Sequence, residues 1–173
     1  ETGLDFYRTG EDGRAAQHAS FEAHIDIAKA HGIALQIHDR DAHAAVVETL
    51  LRVGAPAGTV FHCFSGDAEL ARMCNDHGWY MSFAGTMTFK NAPALREALT
   101  VADPSLVLVE TDAPFLTPEP FRGRPNAPYL LPHTVRRMAE VLGVALEELC
   151  ARLAANTERV YGTWAQAGAG ARS

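Results

Sequence analysis

Short apolar runs alternate along this chain with longer stretches in which apolar residues recur every three or four positions. From about residue 15 to 31, Phe21, Ile25 and Ala28 lie on one stripe and Gly32 supplies a stop, which predicts a helix. Ile33–Ile37 follows as a short apolar run. Val46, Val47, Leu50 and Leu51 define the inward face of a second helix, about Ala42–Val53, ended by Gly54. Gly58–Phe61 is the next run. Ser65 or Asp67 offers an N-cap for a helix that stops at Gly78. The run Trp79–Phe83, a helix around Pro93–Leu99 with proline in its first turn, and the apolar run Leu106–Val109 complete the series. Short buried strands separated by amphipathic helices read as parallel βαβ units. A Pro-rich loop then covers 114–132, and helices are expected over about His133–Leu142 and Leu146–Leu153, with a turn closing near Tyr161. There is no internal repeat, and the Ala- and Gly-rich end, Ala165–Ser173, predicts a frayed tail.

Composition narrows the class. A length of 173 residues suits one domain, and 47% hydrophobic residues is ordinary for a globular core. No apolar stretch approaches the roughly 18 residues of a membrane span, and no basic-then-apolar leader opens the sequence, so no membrane partner and a cytoplasmic location are expected. Three widely spaced cysteines, Cys63, Cys74 and Cys150, suit neither a disulfide framework nor a zinc motif and are expected reduced in a packed interior. A net charge of −6 argues against a broad electrostatic grip on duplex nucleic acid. It leaves room for a small site that holds one phosphate through metal ions. Nothing in the sequence specifies an oligomeric state.

Each apolar run ends on a polar group. Ile33–Ile37 delivers His38, then Asp39, Arg40 and Asp41; Gly58–Phe61 delivers His62; Leu106–Val109 delivers Glu110 and Asp112. The chain opens on Glu1-Thr-Gly-Leu-Asp, which reads as the end of a strand. In a parallel α/β barrel all the carboxyl ends lie on one face, where the active site sits. Two imidazoles and a carboxylate at such ends, joined by Glu1, suit a borderline divalent ion. Hydrogen-bonded turn residues remain an equal alternative on the pattern alone. Lys90 follows a strand toward the same rim and is a candidate for a substrate phosphate. The other histidines (18, 24, 31, 43, 77 and 133) are expected to be surface or core residues. Trp79 and Tyr80 are expected to pack, Asp5 and Arg8 to brace a loop, and Asp39, Arg40 and Asp41 to form local salt bridges or a helix N-cap.

Four stretches together resemble the TatD family of metal-dependent deoxyribonucleases: Glu1-Thr-Gly-Leu-Asp-Phe-Tyr-Arg8, Ile37-His-Asp-Arg-Asp-Ala42, Phe61-His-Cys-Phe-Ser-Gly66 and Glu110-Thr-Asp-Ala-Pro-Phe-Leu-Thr-Pro118. Smaller matches are Gln17 with Phe21, Thr88-Phe-Lys-Asn91, and Arg122-Gly with Asn126 and Pro128. The resemblance implies an α/β fold, the C-terminal part of a TIM-type (β/α)8 barrel, over a domain of residues 1–162 followed by a flexible tail over 163–173. It implies divalent ions, Mg, Mn or Zn, two per complete site. Glu1 then corresponds to the bridging carboxylate, His38 and His62 to ligands of one ion, and Asp112 to the ligand that also orients or deprotonates water. Glu110 would support the catalytic group, and Arg122 and Asn126 would contact substrate or order their loop. The family opens on a strand ending in a His-x-His pair that this sequence does not contain. The expectation is therefore an incomplete barrel, since a whole one takes about 250 residues. The activity implied is hydrolysis of DNA phosphodiesters, from a 3′ end on single strands. A metal-dependent deacylase acting on D-aminoacyl-tRNA, and an inactive metal-binding fragment, stay open as alternatives.

Overall fold

The structure, a computed structural model, describes residues 1–163, so the tail expected at the C-terminus lies outside the described residues from position 164 on. Five parallel strands form one sheet in sequence order: β1 (Thr2–Asp5), β2 (Leu35–Arg40), β3 (Thr59–Phe61), β4 (Tyr80–Phe83) and β5 (Val107–Val109). Helices α1 (Glu11–His31), α2 (His43–Val53), α3 (Ala68–His77) and α4 (Pro93–Val101) make the crossovers between successive strands. Helices α5 (Leu131–Leu142) and α6 (Leu146–Tyr161) follow β5. The sheet does not close, because β1 and β5 are its two ends. This is the incomplete parallel barrel that the sequence predicts.

Alternation along the strands decides what each face of the sheet meets. Leu35 and Ile37 of β2, Phe61 of β3, and Met81 and Phe83 of β4 are buried in one cluster with Phe21, Ile25, Val46 and Leu50 of the helices. The opposite face carries a smaller cluster, Val60, Tyr80 and Leu108. Register places Gln36 beside Val60 and Val60 beside Tyr80, so His38, two residues beyond Gln36, belongs to this second face. Each large aliphatic side chain buried in the main cluster contributes about 1.5–3 kcal/mol.

Several boundaries differ from the sequence reading, for identifiable reasons. Helix α1 begins at Glu11 rather than near 15: its first turn lacks apolar residues, but Glu11 and Asp12 face the positive end of the helix dipole. Helix α6 continues past Leu153 to Tyr161, because the next buried position is Asn156, whose amide donates to the carbonyls of Pro104 and Val107. Strand β2 is shifted two residues later than the run Ile33–Ile37, leaving Ile33 exposed and carrying His38, Asp39 and Arg40 inside the strand. Leu51 points to solvent, while Thr49, which donates to the Ala45 carbonyl, takes a buried place on α2. Asp67 is the N-cap of α3, accepting from Glu69 and Leu70 N–H groups, and Ser65 is not. The N-cap of α2 is Ala42, so Asp39, Arg40 and Asp41 do not cap it; Asp39 pairs instead with His43, and Arg40 stacks on Tyr7. Cys74 is buried, whereas Cys150 is exposed, against expectation. Trp79 is buried and stacks on His77.

One glycine is required where β1 meets β2. Gly3, at φ +149°, pairs with His38, and a Cβ there would lie 2.0 Å from the His38 carbonyl oxygen. Any side chain would push apart the two strands that carry the site described next.

Candidate metal centre

Glu1 stands one residue before β1, and its carboxylate meets both histidines. Its Oε2 lies 2.8 Å from His62 Nε2 and 3.8 Å from His38 Nδ1. Each imidazole is held from behind by a second carboxylate. Asp5 Oδ2 lies 3.1 Å from His38 Nε2, and Glu110 Oε1 lies 2.6 Å from His62 Nδ1. The result is a line, Asp5, His38, Glu1, His62, Glu110, in which both rings turn one nitrogen inward and rest the other on an acid. Histidines that ligate metals have this arrangement: the outer carboxylate selects the tautomer, orients the ring and raises its basicity.

Asp112 joins from the loop after β5, its Oδ1 3.6 Å from His62 Nε2. Backbone geometry aims it: Asp112 has φ +58°, in the left-handed region open to aspartate at modest cost. Its loop is tied by Asn126, which is buried and donates from Nδ2 to the carbonyls of Thr111 and Phe115, both at 2.7 Å. Asn126 Oδ1 accepts from the Ala127 N–H at 2.9 Å. All the polar atoms of Asn126 are thus committed to ordering the loop.

The charges of the site act on one another. Burial opposes a charged Glu110, yet hydrogen bonds from His62, Cys63 and Ser82 outweigh it and hold its carboxyl below the usual range. Burial also opposes protonation of His62, but the bond to Glu110 and the charges of Glu110, Glu1 and Asp112 raise its pKa. Asp112 is pushed up, first by burial and then by Glu110 and Glu1, against the attraction of His62. Three carboxylates therefore crowd one imidazole that protonates readily. A divalent cation would take the proton's place between them and relieve the crowding. The donors present, imidazole nitrogens and carboxylate oxygens, fit Zn, Mn or Mg.

Cys63, expected in the packed core, is a half-buried neighbour of the site. With φ +44° it donates both its N–H (3.0 Å) and its thiol (2.8 Å) to Glu110 Oε1. His62, Cys63 and Asp112 have donor atoms within 4.8 Å of one another. Burial, followed by the charge of Glu110, pushes the Cys63 thiol far up, so it remains a neutral donor that steadies Glu110. Asp5, expected only to brace a loop, also backs His38; the spacing Glu1, Gly3, Asp5, which puts both acids on the same side of an extended segment, signals this.

The two expected substrate cations make other contacts. Lys90 is exposed, and its carbonyl accepts from Arg96. The Arg122 guanidinium sits 4.0 Å over the Phe89 ring. The loops that carry them meet where the Glu119 N–H donates to Thr88 Oγ1. Among the described residues no hydrogen bond or ion pair joins either cation to Glu1, His38, His62 or Asp112. No helix among the described residues is long and apolar enough to cross a membrane.

A family model described as TatD related DNase matches residues 1–162. An uncharacterized metal-dependent hydrolase, TatD, of Mycobacterium tuberculosis is 47% identical over 166 residues, covering 94% of this chain and 63% of that protein. A protein of Citrobacter rodentium named 3′-5′ ssDNA/RNA exonuclease TatD is 34% identical over 168 residues, covering 94% of this chain and 64% of that protein. The crystal structure of a TatD homologue from Escherichia coli superposes with a TM-score of 0.87 at 26% identity, covering 94% of this chain and 62% of that one. The chain thus spans a little under two thirds of the length of the relatives it matches.

Proposed function

The chain belongs to the family of TatD related DNases, and on that premise we propose that it carries one metal centre of a hydrolase that cleaves DNA phosphodiesters, working from the 3′ end of single strands. The observation that supports this most is the pair of histidines, each backed by a carboxylate and each turned toward Glu1. The exonuclease name of the Citrobacter relative favours single-stranded nucleic acid as the substrate class. The net charge of −6 fits a small ion-mediated site better than a wide cationic groove.

Hydrolysis of a phosphodiester gathers negative charge on nucleophile, phosphate and leaving oxygen. Divalent ions bound at such a site neutralise the phosphate and acidify a water. His38, His62 and Glu1, which faces both rings, would hold an ion. Asp112, placed beside His62, would take the proton of the attacking water. Glu110 would act through His62 Nδ1, keeping the ring turned and its other nitrogen free. Lys90 and Arg122, on adjoining loops, would meet flanking phosphates.

The test uses the protein carrying this chain, Mn and single-stranded oligonucleotides labelled at either end. Products that shorten progressively from the 3′ end are expected, chelation should stop them, and added Mn should restore them. Asp112→Ala should lower kcat by about 10²–10⁴, and cleavage by Asp112→Ala or His62→Ala at the parent rate refutes the assignment.

A further inference from the structure

We propose that Asp5 is a positioning residue of the metal centre, fixing which nitrogen of His38 faces Glu1. The inference rests on the metal centre assigned above and adds a residue to it. Three bonds hold Asp5 in place. Its N–H donates to Gln17 Oε1 at 3.0 Å, its carbonyl accepts from Gln17 Nε2 at 3.2 Å, and its Oδ1 accepts from the Arg8 N–H at 2.8 Å. Gln17 is itself tied to Thr9 Oγ1 at 2.6 Å. Those contacts satisfy the turn after β1 and use only one carboxylate oxygen. The other, Oδ2, is left for His38 Nε2 at 3.1 Å. A turn that needed only an Oδ1 acceptor would be served by asparagine. The second oxygen is the one that meets the ring and orients it.

The symmetry with Glu110 strengthens this. Both acids are mostly buried, with 17% of each side chain exposed, and each rests on the far nitrogen of a ring that faces Glu1. Pairing within β1 and β2 sets the reach, since Gly3 lies beside His38 and Asp5 beside Arg40. Asp5 meets the ring from further along the strands, while Glu1 meets it from one residue before β1. Such outer partners typically contribute 10–100-fold to metal affinity.

The experiment measures zinc affinity against a chromophoric chelator for the parent chain, Asp5→Ala, Asp5→Asn and Gln17→Ala, and records the ring-nitrogen NMR shifts of His38 without metal. Asp5→Ala should lose about 10–100-fold in zinc affinity, and its His38 ring should pass from one tautomer to a mixture. Asp5→Asn keeps the Arg8 contact through its one oxygen and turns an amide NH2 toward His38 Nε2, so the ring proton should move to Nδ1 and zinc affinity should fall as in Asp5→Ala. It carries the test if Asp5→Ala fails to fold. Gln17→Ala loosens the same turn without touching the ring and should bind zinc nearly as the parent does. Asp5 variants that bind zinc like the parent, or a Gln17→Ala loss equal to that of Asp5→Ala, overturn the proposal. A parent that takes up no zinc refutes the metal reading itself. The ring shifts then decide on Asp5 alone, and an unchanged His38 tautomer in Asp5→Ala overturns its role.

Discussion

Asn126→Ala should unfold the loop of Asp112 before it affects anything else. The substitution removes three hydrogen bonds: two from Nδ2, each 2.7 Å, to the Thr111 and Phe115 carbonyls, and one accepted from the Ala127 N–H at 2.9 Å. Asn126 is only 6% exposed, so water cannot easily replace them. At about 0.5–1.5 kcal/mol net for each bond, the loss sums to roughly 1.5–4.5 kcal/mol. For a chain of this size that corresponds to a fall in Tm of about 5–15 °C. Asn126→Asp should be worse at neutral pH, because it sets a carboxylate against two carbonyl oxygens and removes their donor. The assay is urea unfolding followed by circular dichroism, with zinc affinity measured on the same samples. Thr111 adjoins Asp112, so zinc binding should weaken as the loop loosens. A loss below about 0.5 kcal/mol, with zinc affinity unchanged, would refute the reasoning and return Asn126 to the role of a substrate contact.

Gly3→Ala should cost about 1–3 kcal/mol or more, since its Cβ would meet the His38 carbonyl oxygen at 2.0 Å and the backbone there is at φ +149°. The same variant should weaken zinc binding by moving His38 away from Glu1; a stable variant with parental zinc affinity would contradict the close approach of β1 and β2. His43 should make stability depend on pH. Its Nδ1 lies 2.6 Å from Asp39 Oδ2, and that bond, opposed by burial and helped by the charge of Asp39, raises its pKa above 6.5. A raised folded pKa means that the stabilisation is fully present below 6.5 and is lost as pH rises through the folded value. Urea midpoints of the parent should therefore fall more steeply above pH 6.5 than those of His43→Gln. Equal slopes would show that the pair contributes nothing.

Much of this protein was legible in one dimension. The alternation of short apolar runs with amphipathic stretches determined parallel strands and crossover helices, because burial on both faces and a 3.6-residue stripe leave different periodicities. Glycine stops at Gly32 and Gly78 marked real helix ends, both in the left-handed conformation. His38, His62, Glu110 and Asp112 could be picked out because each directly follows an apolar run or lies within a few residues of one, and parallel strands bring those ends to one rim. The polar continuation of α6 was not legible, because Asn156 carries no hydrophobic signal and is buried only where two carbonyls await it. Nor were the roles of individual atoms. That Asp5 holds one ring nitrogen of His38 while Glu1 faces the other depends on the register of β1 against β2. That Asn126 ties the Asp112 loop, leaving Lys90 and Arg122 as the remaining substrate candidates, depends on how the segment after β5 folds back. Residue type and spacing determined which groups share the rim. Only the tertiary structure decided which oxygen meets which nitrogen, because a hydrogen bond is set within a few tenths of an ångström and sequence periodicity resolves no finer than a face.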